Sequence, residues 1–244
     1  MYTPTFRKNR VNVPILSKVE IDDIGERLVA DFCPQALQSP KEIDVDRLIT
    51  RYLGMKQDFQ YLSHCGMYLG MTVFNDTDRV VVYNPKANRA EYIRVEAGTV
   101  IIDNSLLEDK QEHRYRFTAG HEAAHGILHP DYFAYNPNQL SMFGSDYVPM
   151  VQCRVDSTKS TQKPVSMWTD KDRMEWQANR LASAILMPKS MVLKLAHDAE
   201  DNSLHPNAGV EAVVEVFNVS TEAAFYRLRD LGFVPGRDRA CLPF

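Results

Sequence analysis

His121-Glu122-Ala123-Ala124-His125 is the stretch on which the reading of this chain turns. It has the form H-E-x-x-H. That pattern sets two metal-ligating imidazoles and a carboxylate on one turn of helix. An α-helix advances about 100° per residue, so positions i and i+4 share a face and both rings reach one ion. Glu122 points to the flank, where it suits a general base rather than a ligand. Local density argues against coincidence. The chain has 7 histidines in 244 residues, so nine residues would hold about 0.26 on composition; residues 121 to 129 hold three, the last being His129.

A catalytic zinc commonly keeps three protein ligands and one open position. A third ligand is therefore sought downstream, in Asp172 to Pro188. Thr169 followed by Asp172 is a capping-box pattern. Ala178, Leu181, Ala182 and Ile185 make one apolar face, and Pro188 ends this helix or begins the next. Glu175 and Asn179 share another face. Glu175 is the expected third ligand, and Asn179 the residue bracing a ligand histidine through its free ring nitrogen. His129 is the rival. On an unbroken helix it lies eight residues and about 12 Å along the axis from His121, too far for one ion. It is expected instead as a helix-end residue near the cleft, stabilised by the C-terminal dipole if charged.

Arg116-Phe117-Thr118, the H-E-x-x-H segment, Leu128-His129, and then Glu175-x-x-Ala178-Asn179 with Leu186-Met187-Pro188, together resemble the ImmA/IrrE family of metallo-endopeptidases. The resemblance spans roughly residues 20 to 235 and is strongest at 114–130 and 172–188. It implies zinc on His121, His125 and Glu175, with Glu122 as general base. It also implies a regulatory role, since some members cleave phage-like or mobile-element repressors and others act in stress responses. The long segment between the two blocks departs from the pattern and bears on substrate choice.

Composition fits an intracellular protein. Lys plus Arg 28 against Asp plus Glu 32 gives −4 and a pI near 6.0, without the basic field of a nucleic-acid binder. Met1 to Leu16 is polar and proline-broken, unlike a signal peptide. No apolar run approaches membrane-spanning length. Cys33, Cys65, Cys153 and Cys241 form no C-x-x-C pair, so reduced thiols in a cytoplasmic setting are expected.

The order of elements reads as α+β. Helices are expected at Asp22 to Phe32 and at Val45 to Leu53, the latter ended by Gly54. Strands are expected at Tyr68 to Phe74, Arg79 to Tyr83, Tyr92 to Val95 and Thr99 to Asp103, with a hairpin across Glu96-Ala97-Gly98. The metal helix is expected at Lys110 to Leu128. An exposed Thr99–Asp103 edge would let an extended peptide pair across the metal, the alternative being an ordinary buried strand. In the irregular segment 131–170, Tyr132, Phe133, Tyr135, Phe143 and Tyr147 are candidates to wall the cleft. Cys153 is either an inert thiol or an inhibitory metal ligand. At the C-terminus, Val210 to Val216, the turn Phe217-Asn218-Val219-Ser220 and Thr221 to Leu231 outline a helix-turn-helix. Residues 208–244 carry four arginines against five carboxylates, so packing or protein docking is favoured over DNA.

The expected architecture is an α+β, zincin-like metallopeptidase domain at 20–200, with an N-terminal arm at 1–19, an irregular insertion at 131–170 and a helix-turn-helix-like segment at 201–244 packed on it. The expected chemistry is zinc-dependent hydrolysis of peptide bonds in a protein substrate such as a helix-turn-helix repressor, with no membrane or nucleic-acid partner. Two other classes are compatible with the residues: a metal-binding regulator acting by protein contact, and a DNA-binding regulator acting through the C-terminal helices.

Overall fold

The computed structural model describes residues 1–134, 150–154, 164–201 and 207–233. Helix α1 spans Lys18–Phe32 and starts four residues before the expected Asp22. The reason is local: the Ser17 side chain accepts from the Glu20 N–H while Glu20 accepts from the Ser17 N–H, a reciprocal cap that satisfies two otherwise orphaned donors. Helix α2, Val45–Arg47, is capped by Asp44 and runs into a π-helical turn at Leu48–Tyr52. The chain leaves it through Gly54, whose φ of 66° favours a residue without a Cβ.

Among the described residues six strands follow: β1 Lys56–Gln60, β2 Tyr68–Val73, β3 Thr77–Asn84, β4 Arg89–Val95, β5 Thr99–Asp103 and, after the metal helix, β6 Met150–Arg154. They make a four-stranded sheet in the order β1-β5-β2-β6 and a separate antiparallel ribbon of β3 and β4. The expected hairpin between Tyr92–Val95 and Thr99–Asp103 is therefore not formed. β4 turns back on β3. Gly98, at φ 74°, then carries the chain into the middle of the other sheet, where β5 pairs parallel to β1 and antiparallel to β2. Burial explains the choice. All five residues of β5 are buried, whereas β4 is largely exposed or half-buried. A strand with an unbroken apolar centre, here Val100-Ile101-Ile102, needs cover on both faces. Val100 and Ile102 face the helices, and Ile101 joins Met71, Val73, Val80 and Val82 under the ribbon. Nor is β5 an edge, so it offers no open backbone to a peptide; among the described residues the edges are β1 and β6. β1 was not foreseen, because Lys-Gln-Asp-Phe-Gln has no apolar alternation and is made a strand by its pairing with β5.

Helix α3, Glu112–Leu128, crosses one face of the sheet, followed by the short α4 at Pro130–Phe133. Helix α5, Asp170–Leu186, packs along α3; Ala119 and Ala123 on one and Ala178 and Ala182 on the other are fully buried, and such small side chains let the backbones approach closely. Thr169 and Asp172 form the capping box that the sequence suggested. Beyond Pro188 come α6 Lys189–Asp201, α7 Ala208–Phe217 and α8 Thr221–Asp230, with Asn218 left-handed in the turn and Ser220 capping α8. Leu186, Val192, Val213, Phe217 and Leu228 form their common core. None of the described helices is long and apolar enough to cross a membrane.

An ionic lock ties this C-terminal unit to the rest. Asp22 on α1 accepts from Arg180 of α5 at 2.9 Å and from Arg227 of α8 at 2.6 Å, all three being buried. Arg227 also donates to the Met187 carbonyl at 3.1 Å. Arg116 of α3 caps the end of α7 by donating to the carbonyls of Asn218 and Phe217. Asp22→Ala leaves the buried Arg227 without its carboxylate, whereas Arg180 keeps Asp230 at 2.8 Å, so the variant is expected to cost about 3–5 kcal/mol of stability. Urea denaturation of the variant against wild type measures this, and a loss below about 1 kcal/mol, the worth of an exposed ion pair, contradicts the lock.

Candidate metal centre

His121 and His125 occupy the buried face of α3 and are fully buried. Their Nε2 atoms lie 3.0 Å apart. Glu175 reaches across from α5, with Oε2 3.4 Å from His121 Nε2 and Oε1 3.9 Å from His125 Nε2. The donor atoms of this trio all lie within 4.8 Å of one another, a grouping able to hold a metal ion. Both oxygens of Glu175 and Oε1 of Glu122 are buried without a hydrogen-bond partner. Buried carboxylate oxygens are ordinarily paired, and a cation would satisfy these.

The outward ring nitrogens are engaged. His121 Nδ1 lies 2.9 Å from Asn179 Oδ1, the contact expected of Asn179. His125 Nδ1 lies 2.9 Å from His129 Nδ1. His129 ends α3 as foreseen and is fully buried, so the helix dipole has no charged ring there to stabilise. Its Nε2 contacts Gln177 Oε1 at 3.0 Å. Burial pulls its pKa down to about 4, against the opposing hydrogen bond from Gln177, so it stays neutral near pH 7. Burial likewise holds His125 well below the usual imidazole range, with the neighbouring His121 adding to the effect.

Glu122 is fully buried against β2. The Thr72 hydroxyl lies within hydrogen-bonding reach of Glu122 Oε2 and 3.0 Å from its backbone carbonyl. Burial pushes the Glu122 pKa up to about 7; charge on His121 and the Thr72 hydrogen bond pull it down, and the nearby Glu175 raises it. Gly70 makes room for it: a Cβ at this position would fall 2.7 Å from Glu122 Oε1 and 2.8 Å from Thr118 Cγ2.

Thr72, Gly70 and Gln177 were not singled out from sequence. Only Gly70 carried a signal, as a glycine inside a strand, which often marks close approach of another group. Phe133, a candidate wall of the cleft, is buried and stacks on Phe74 with ring centres 4.5 Å apart; Tyr132 is partly exposed. Tyr135, Phe143 and Tyr147 lie outside the described residues, as does the side chain of Cys153.

Comparison with known families agrees with this geometry. Residues 157–229 match the family model Peptidase_M78, described as the IrrE N-terminal-like domain. The match includes α5 with Glu175 and Asn179 and lies downstream of the H-E-x-x-H turn. The resemblance read from the two sequence blocks is thus found independently in the second of them, and at family level it supports a peptidase with a zincin-like α+β domain. No curated protein matches the chain.

Gly70→Ala forces a methyl group against the Glu122 carboxylate and Thr118. The variant is expected to lose about 1–3 kcal/mol, as overpacked positions do, measured by urea denaturation. Wild-type stability would mean that the Glu122 and Thr118 side chains are free to give way at this contact.

Proposed function

We propose that this chain is a zinc-dependent endopeptidase acting on a regulatory protein in the cytoplasm. The observation that carries the reading is the buried trio His121, His125 and Glu175 with Glu122 beside it. Donors held on a tetrahedral zinc at about 2.0–2.1 Å from the ion lie about 3.3–3.4 Å apart. The two ring nitrogens lie 3.0 Å apart, and the two oxygens of Glu175 lie near them, Oε2 at 3.4 Å from His121 Nε2 and Oε1 at 3.9 Å from His125 Nε2, close to that spacing. Two imidazoles and a carboxylate are also a donor set that would leave one zinc position open for chemistry.

Zinc held there supplies a Lewis acid that polarises the scissile carbonyl and acidifies water. The chain's own residues do the rest. His121 and His125 present Nε2, with Nδ1 turned outward to Asn179 and His129. Thr72 anchors one oxygen of Glu122 and leaves Oε1 unpartnered. Oε1 takes the proton of the attacking water and passes it to the departing amine. Positioned proton transfer of this kind typically contributes about 10²–10⁴ in rate.

The proposed substrate is a protein, and its identification with a helix-turn-helix repressor rests on the family resemblance. Charge supports a protein over DNA. Of the cations in the C-terminal helices, Arg227 is buried against Asp22 and offers nothing to a phosphate. A regulator working by protein contact alone would have no need of a base at position 122.

Glu122→Gln is expected to keep its zinc and lose cleavage by about 10²-fold or more. Zinc-loaded wild type and variant, each incubated with a repressor encoded beside the gene and read by mass spectrometry, provide the comparison; equal cleavage by both refutes the assigned base. Glu175→Ala is expected to lower bound zinc sharply by elemental analysis. Unchanged zinc content in that variant removes Glu175 from the ligand set.

A further inference from the structure

Beyond the metal trio, a line of hydrogen bonds runs from the N-terminal arm to His125. Its outer end is the Pro14 carbonyl, which can only accept. Gln177 Nε2 donates to it at 2.7 Å, which fixes the orientation of that amide. Gln177 Oε1 therefore faces His129 Nε2, 3.0 Å away, and the proton between them must sit on His129 Nε2. His129 is buried and bonded at both nitrogens to neutral groups, so with Nε2 protonated its Nδ1 is bare. His125 Nδ1, 2.9 Å away, must then be the donor. A neutral His125 with its proton on Nδ1 keeps an open lone pair on Nε2, the atom facing His121 Nε2 and Glu175.

We infer that Pro14, Gln177 and His129 act as a one-way hydrogen-bond chain that holds His125 in its metal-binding tautomer, making His129 and Gln177 positioning residues of the centre. This rests on the metal-centre reading above and adds to it a role for the N-terminal arm. The arm is built in at that point. Val13 is fully buried with Phe133 and Met174, and Asn9 donates to Asp170 at the start of α5 at 3.0 Å. The two ligand histidines are thus served differently. His121 meets a single amide oxygen on the neighbouring helix, whereas His125 is set from outside the helix pair through two intermediaries.

Full-length protein labelled with ¹⁵N at histidine tests the chain by long-range ¹H–¹⁵N correlation. His129 is expected with its proton on Nε2 whether or not zinc is bound, and His125 with its proton on Nδ1 when zinc is bound. A His129 proton on Nδ1 overturns the inference. Zinc affinity by chelator competition supplies the second readout. His129→Asn keeps an oxygen able to accept from His125 and is expected to stay close to wild type, as Asn179 does for His121. His129→Phe removes the acceptor and is expected to weaken zinc binding about 10–100-fold. Equal affinities for the Asn and Phe variants overturn the inference. Failure of the wild type to take up zinc overturns the metal-centre reading instead, and the His129 tautomer distinguishes the two failures.

Discussion

Three buried carboxylate oxygens without hydrogen-bond partners, set beside two buried imidazoles, are the constraint around which this molecule is arranged. An isolated carboxylate in a protein interior is costly, and proteins avoid the arrangement unless a partner or an ion offsets it. Here the cost falls where α3 and α5 meet. It is sustained by a contact at which Ala119, Ala123, Ala178 and Ala182 are fully buried, and across it Glu175 reaches the ring nitrogens of the facing helix. Packing of small residues and placement of charged ones are thus parts of one design.

The surrounding elements act on that pair of helices from different sides. β2 supplies Thr72 to orient Glu122 and Gly70 to leave room for it. The arm supplies the Pro14 carbonyl behind Gln177. The C-terminal helices supply Arg227, which with Arg180 grips Asp22 and binds α8 to α1 and α5. None of these groups belongs to the metal trio. Each limits how far one wall of the site can move, and the proposed base at Glu122 would depend on such placement.

Sequence and structure diverge in a consistent way. His121 and His125 were legible because a four-residue spacing on a helix is a local property, and Glu175 because its helix announced itself by a cap and an apolar stripe. Misreadings arose where distant pairing decides. The run Tyr92–Val95, Gly98, Thr99–Asp103 looks like a hairpin to any local rule, yet β5 is drawn between two other strands because every one of its residues is buried. β1 is polar and exists as a strand through its partner. Local reading places His129 at the helix end near the cleft but says nothing of Gln177, 48 residues away, which covers its outer nitrogen. Thr72 meets Glu122 across 50 residues of chain, with nothing local to mark it.

The central claim is that a metal ion sits among two imidazoles of α3 and one carboxylate of α5. Zinc K-edge X-ray absorption on the reconstituted full-length protein addresses it directly. The account requires a spectrum fitted by two imidazole rings and oxygen donors at about 2.0–2.1 Å. A third imidazole or a sulfur neighbour in the fit would place the ion elsewhere and contradict it.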